Sequence, residues 1–241
     1  MIFNPINLIY FVIAVPIVLI TFLLLLKLNK NKDALCYIIV LSILTFGIRF
    51  LLIFFDYTIG SMPYLKEDVI FYGLLSGFGV LMTWLYVTKV EQKTFEDYGW
   101  KLTDVKKNIL FGLLFYIPLI LMMPLIIILA NIQISLHITW EKIMLGITFG
   151  IILAGIYEET MFRGVIQNHL STLTDDNKAV LLTTIIFTAT HIGYLPFIGY
   201  GIIYVFVFLM GLLLSILRLK YNQLACFILH GGIVFILVIF V

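Results

Sequence analysis

Two adjacent glutamates, Glu158 and Glu159, interrupt an apolar run, and an arginine stands four positions after the second, in Gly-Ile-Tyr-Glu-Glu-Thr-Met-Phe-Arg-Gly from Gly155 to Gly164. Two isolated histidines, His191 and His230, lie in later apolar runs. A carboxylate can take a proton from water, and neutral imidazoles beside it can position that water and stabilise an oxyanion. Such a set hydrolyses a bond without a covalent intermediate. A charged side chain within hydrocarbon costs about 2.5 kcal/mol or more, which makes each of these residues a functional candidate.

Spacing divides the work between the two acids. Residues four apart share a helix face, and Gly146, Gly150, Ala154 and Glu158 form one row whose small members admit a neighbouring backbone. That row faces inward, so Glu158 points into protein. Gly155, Glu159 and Arg163 form the next row, where acid and base pair at i, i+4. On this reading Glu159 is neutralised and structural, and Glu158 is left to act as general base. The competing reading leaves both acids solvated at the inner membrane edge, about 24 Å along the helix from Lys142. Phe187-Thr-Ala-Thr-His191 places His191 about 20 Å into a helix starting near Asn177, and His230 lies about 12 Å into the last helix. Each histidine taken alone also fits a hydrogen-bonded packing residue.

Other hydrolytic arrangements are missing from the string. There is no His-Glu-x-x-His, no glycine two positions before Ser76 and no aspartate pair within an apolar run. One carboxylate and two imidazoles are nevertheless legitimate zinc ligands, so a divalent metal held by Glu158, His191 and His230 stays open as the lesser alternative. Cys36 and Cys226 have neither disulfide-framework nor metal-ligand spacing and read as packing residues.

The elements that position these residues are membrane helices. Of 241 residues 63% are hydrophobic and 12% charged, with a mean hydropathy of +1.15. Soluble domains are about 25% charged, and 15 basic against 13 acidic residues leave no face for nucleic acid. A helix needs about 20 apolar residues to cross the bilayer. Pro5 to Leu26, Ala34 to Phe55 (with Arg49 able to snorkel), Val69 to Thr88, Asn108 to Ala130, Ile143 onward to about Leu170, and Tyr221 to Val241 each supply one. Ala179 to Leu217 is too long for one crossing and turns near Gly193 and Pro196. The expectation is therefore an all-α, polytopic bundle of about eight helices in one membrane domain spanning 1–241. Four N-terminal helices occupy 1–130, and the catalytic-motif helices occupy 143–241.

Lysine and arginine cluster in the odd-numbered loops, which predicts both termini outside and those loops in the cytoplasm of a multi-pass cell-membrane protein. The first apolar run reads as a retained helix, because no basic region precedes it and no small-residue cleavage site follows. The segment Glu91 to Lys107, with Phe95, Tyr98 and Trp100, reads as a cytoplasmic loop lying on the headgroups. His137 and His169 take no part in this scheme.

Glu158-Glu159-x-x-x-Arg163, then Phe187-x-x-x-His191, then His230 together resemble the CAAX protease and bacteriocin-processing family of intramembrane endopeptidases, over about Ile143 to Val241. The resemblance implies a cavity in the membrane open to the cytoplasm and a substrate that is a membrane-associated protein or peptide. It implies that Glu158 and His191 activate water, that Glu159 and Arg163, with Phe187, support the site, and that His230 helps to stabilise the oxyanion. One position departs: the prenyl-protein-processing branch carries asparagine four residues after the last histidine, where this chain has Val234. The readings from other classes are a proton- or ion-coupled transporter using a Glu/His relay, and a catalytically silent immunity or scaffold protein.

Overall fold

The structure, a computed structural model, describes residues 66–129, 134, 136–191 and 201–240, and among them the regular structure is helical throughout. The expected helices over Pro5 to Leu26 and Ala34 to Phe55, with Cys36 and Arg49, and the turn at Gly193 and Pro196, lie outside the described residues. The described helices are α1 (Lys66–Leu85), α2 (Val105–Leu129), α3 (Trp140–Leu173), α4 (Asp176–Ala189), α5 (Gly201–Lys220) and α6 (Gln223–Phe240).

Four of these are long and apolar enough to cross a membrane: Val105–Leu129, Trp140–Leu173, Ile202–Lys220 and Gln223–Phe240. Sequence reading expected a crossing at each apolar run; α1, over the expected Val69 to Thr88 crossing, is not among the four, and neither is α4. Helix α4 has 14 residues, about 21 Å of helix, so it is short for a full crossing. Its start is set by Asp175, whose carboxylate accepts from the Lys178 N–H at 3.0 Å. His191 consequently lies just beyond the last helical residue and not deep within a helix, its own N–H donating to Thr188 O at 3.1 Å.

The long helix α3 is the axis of the fold. Thr139 caps it, accepting from the Lys142 N–H at 3.3 Å. It is wound with wide, i→i+5 turns over Ile147–Glu158 and again over Thr160–Ile166. Its small residues meet α6 at close range. A Cβ on Gly150 would lie 2.6 Å from Gly231 O, and one on Gly231 would lie 2.9 Å from Gly150 O. The inward orientation of the row from Gly146 to Glu158 thus holds, with Gly146 packed on Phe235. On the far side of α6, α2 contributes the stripe Asn108, Gly112, Tyr116, Leu119 and Ile126 and turns Leu113, Ile117, Leu121 and Ile128 outward, as a lipid-facing helix does. Threonines within the apolar helices return their hydroxyls to the carbonyl four residues back, Thr83 to Gly79 at 2.9 Å and Thr184 to Val180 at 2.8 Å, which satisfies both groups without water.

Part of the segment expected to lie on headgroups is docked on protein, while Lys101 to Lys107 are exposed. Thr94 to Trp100 closes on itself through Thr94 N–H to Asp97 Oδ2 (2.7 Å) and Trp100 N–H to Phe95 O (3.0 Å). Tyr98 is fully buried, and Trp100 Nε1 donates to Thr160 Oγ1 of α3 at 2.8 Å. Gly99 is required at its position: its φ of +92° lies in the left-handed region, and a Cβ there would strike the Arg218 guanidinium. Asn222, between α5 and α6, fastens the same segment by donating from Nδ2 to Lys101 O at 2.7 Å. Two of the aromatic residues of this amphipathic segment, Tyr98 and Trp100, thus serve as intramolecular contacts.

Candidate active site

Burial sets the terms for the tandem acids. Glu158 is 1% exposed and Glu159 is 0% exposed, so both are enclosed by protein and the solvated reading does not describe them. A buried carboxylate must be met by cations or donors. Arg163, also fully buried, gives Nη1 to Glu159 Oε1 at 3.0 Å, the i, i+4 pair read from the sequence. Its Nη2 donates to Gly211 O of α5 at 3.2 Å, and its guanidinium carbon lies 4.2 Å from the centre of the Phe187 ring, a cation–π contact.

Glu159 has a second partner that i, i+4 spacing does not reveal. His230 Nδ1 lies 2.6 Å from the same Oε1, and since a carboxylate only accepts, Nδ1 carries the proton and donates it. The opposite ring nitrogen, Nε2, faces Glu158, at 3.8 Å from Oε2. One imidazole from α6 therefore stands between the two acids of α3. The division expected from spacing, with Glu159 structural and Glu158 alone meeting histidine, is only half of what the geometry holds. The Gly150–Gly231 approach makes this possible: the helices cross backbone to backbone one residue from His230, so a short carboxylate can span the gap.

His191 reaches the region from the end of α4. Its Nδ1 is 2.7 Å from Phe187 O, a carbonyl that can only accept, so Nδ1 bears hydrogen and Nε2 holds the lone pair in the neutral ring. Tyr204 of α5 steadies the peptide by donating its hydroxyl to His191 O at 3.1 Å. Phe187 is the common neighbour of the site: its ring centre lies 4.5 Å from that of His191 and 5.5 Å from that of His230. Gly211 leaves the space it occupies, since a Cβ there would lie 2.9 Å from the ring. All six residues singled out in the sequence, Glu158, Glu159, Arg163, Phe187, His191 and His230, are thus gathered in one buried cluster, while Val234 lies one helical turn beyond His230. Among the described residues no three His, Cys, Asp or Glu side chains converge as a metal-binding group.

Sequence reasoning missed Gln223. It is fully buried near the start of α6, and its amide nitrogen donates to Glu159 O at 2.5 Å. An uncharged amide opening an apolar helix was the available signal.

No curated protein and no solved structure matches the chain. Residues 139–236, which contain both glutamates, Arg163, Phe187 and both histidines, match the family model described as type II CAAX prenyl endopeptidase, Rce1-like, a similarity consistent with the CAAX protease family.

Proposed function

We propose that this protein is an intramembrane endopeptidase that hydrolyses a peptide bond in a membrane-associated protein or peptide by means of a Glu/His-activated water. The observation that carries the reading is the His230 ring placed between two buried carboxylates, 2.6 Å from Glu159 and 3.8 Å from Glu158, beside a second histidine that shares Phe187 with it. The family match supports the peptidase class and a substrate in the membrane.

In this mechanism Glu158 is the general base. The 3.8 Å separation from His230 Nε2 is too long for a direct hydrogen bond, so the ring does not itself tie down this oxygen of Glu158. Water gives its proton to Glu158 while its oxygen adds to the peptide carbonyl carbon. His191, with Nδ1–H fixed on Phe187 O, offers Nε2 as acceptor to orient that water. His230, whose Nδ1–H is fixed on Glu159, stabilises the oxyanion by donating from Nε2–H, which requires the ring to carry both protons at that step. The carbon–nitrogen bond then breaks, and the proton on Glu158 passes to the departing amine. Glu159 and Arg163 keep the His230 ring and α3 in register. We place this cavity on the cytoplasmic side, with both termini outside, from the distribution of lysine and arginine.

The test compares membrane peptides from cells carrying either the native protein or Glu158→Gln. A new peptide end found only with the native form, and lost again in His191→Ala, supports the mechanism. Full cleavage by Glu158→Gln overturns it, and pH-dependent flux in liposomes with no cleavage would favour a transporter instead.

A further inference from the structure

Glu159 is held by α6 at two separate points. Its carboxylate takes the His230 Nδ1–H at 2.6 Å, and its main-chain oxygen takes the Gln223 amide at 2.5 Å. Gln223 and His230 are seven residues apart on one helix, two turns or about 10.5 Å, and so project from the same face. The Gln223 main-chain N–H is engaged as well, donating to Gly99 O at 3.0 Å, which anchors the first turn of α6 on the docked segment. Room for the amide is provided by Gly164, where a Cβ would lie 3.2 Å from Nε2 and 3.3 Å from Tyr98 Cβ. The grip falls at the single residue between the two wide-turn stretches of α3, the point from which both acids project.

We propose that Gln223 is a positioning residue that sets the register of α3 on α6, and through it the placement of Glu158 against His230. Two contacts from one rigid element to one residue fix both the slide and the rotation of the acid-bearing turn. With the carbonyl contact removed, the glycine crossing and the carboxylate contact still join the helices, but the acid-bearing turn can pivot about them. Glu158 is the next residue and moves with it. A displacement of about 1 Å at a general base costs on the order of 10²-fold in rate. The expected effect is therefore on turnover and not on substrate binding.

This inference rests on the endopeptidase reading for its kinetic part and not for its geometric part, and the experiment keeps the two apart. Full-length protein in lipid nanodiscs, native and Gln223→Met, is compared by specific activity per folded molecule and by the ¹⁵N resonances of its histidine rings, with His230 assigned through His230→Gln. Methionine fills the same volume without the donor. We expect kcat to fall by about 10- to 100-fold with KM within about twofold, and the His230 resonance to move while those of His137 and His169 stay in place. Unchanged kcat with an unmoved His230 resonance overturns the proposal, as does a variant that loses only folded yield and keeps native activity per folded molecule. If the native protein cleaves nothing, the endopeptidase reading fails and the His230 resonance alone decides: a shift upholds the clamp and its absence refutes it. Should Gln223→Met not fold, Gly164→Ala, which pushes the amide without removing it, is read by the same two measurements.

Discussion

Replacing Glu159 by glutamine tests whether this acid is structural only or also orients the site. The substitution keeps the shape and removes the charge that Arg163 and His230 share through Oε1. Arg163 is fully buried, and leaving such a cation without its anion costs about 3–5 kcal/mol. Two contacts soften the loss, the Gly211 carbonyl and the face of Phe187, which places the expected value near the lower end, about 3 kcal/mol. For a chain of this size that is a fall of roughly 6–12 °C in melting temperature. The ring of His230 loses the carboxylate that fixes Nδ1–H, so the folded fraction should also turn over more slowly, by about 10²–10³, as when one oxyanion donor is removed. Thermal unfolding in nanodiscs gives the first quantity, and cleavage per folded molecule gives the second. A double-mutant cycle with Arg163→Met supplies the coupling: the pair of changes should cost less than the sum of the two singly. Additive losses combined with native activity per folded molecule would show that Glu159 neither shares a charge with Arg163 nor orients His230.

Gly150→Ala places a methyl 2.6 Å from Gly231 O and must separate α3 from α6; the amount of folded protein should fall sharply, and a normally folded variant would show that the crossing is not as close as described. Outside the four candidate spans, Glu91 is a pH-sensitive fastening: burial raises its carboxyl, but the hydrogen bonds from His169 (2.8 Å) and Tyr86 and the charge of Lys93 outweigh that and bring it down from 4.5 to about 2. Because the folded value is the lower one, this contribution is complete above about pH 4.5 and is lost as pH falls toward 2. Glu91→Gln should lower stability at neutral pH and flatten the acid limb of the unfolding profile; an unchanged profile counts against the fastening.

The residues that could be read in advance are those whose partners lie nearby in the chain. Arg163 is one turn from Glu159, and its pairing follows from helix spacing alone. Apolar runs long enough to span hydrocarbon announce α2, α3, α5 and α6 in the same way. What stays hidden depends on how one helix is rotated against another. Nothing local to Glu159 names His230 or Gln223, which are 71 and 64 positions away, and nothing in the polar 91–107 segment names Thr160. The end of α4 was misjudged for a related reason, since an uncharged run carries no mark of where its helix stops.

The wide winding of α3 explains why the four-residue rows were informative for packing and incomplete for chemistry. Rows counted at 3.6 residues per turn put Glu158 and Glu159 about 100° apart, facing different neighbours. With i→i+5 turns on either side of Glu159, successive residues advance through a smaller angle, and two adjacent acids can address one object. That object is His230, reached at opposite nitrogens of the same ring. A tandem of acids is then more than one base with a structural neighbour: the second acid fixes the proton on Nδ1, and by doing so decides what the first acid faces at Nε2.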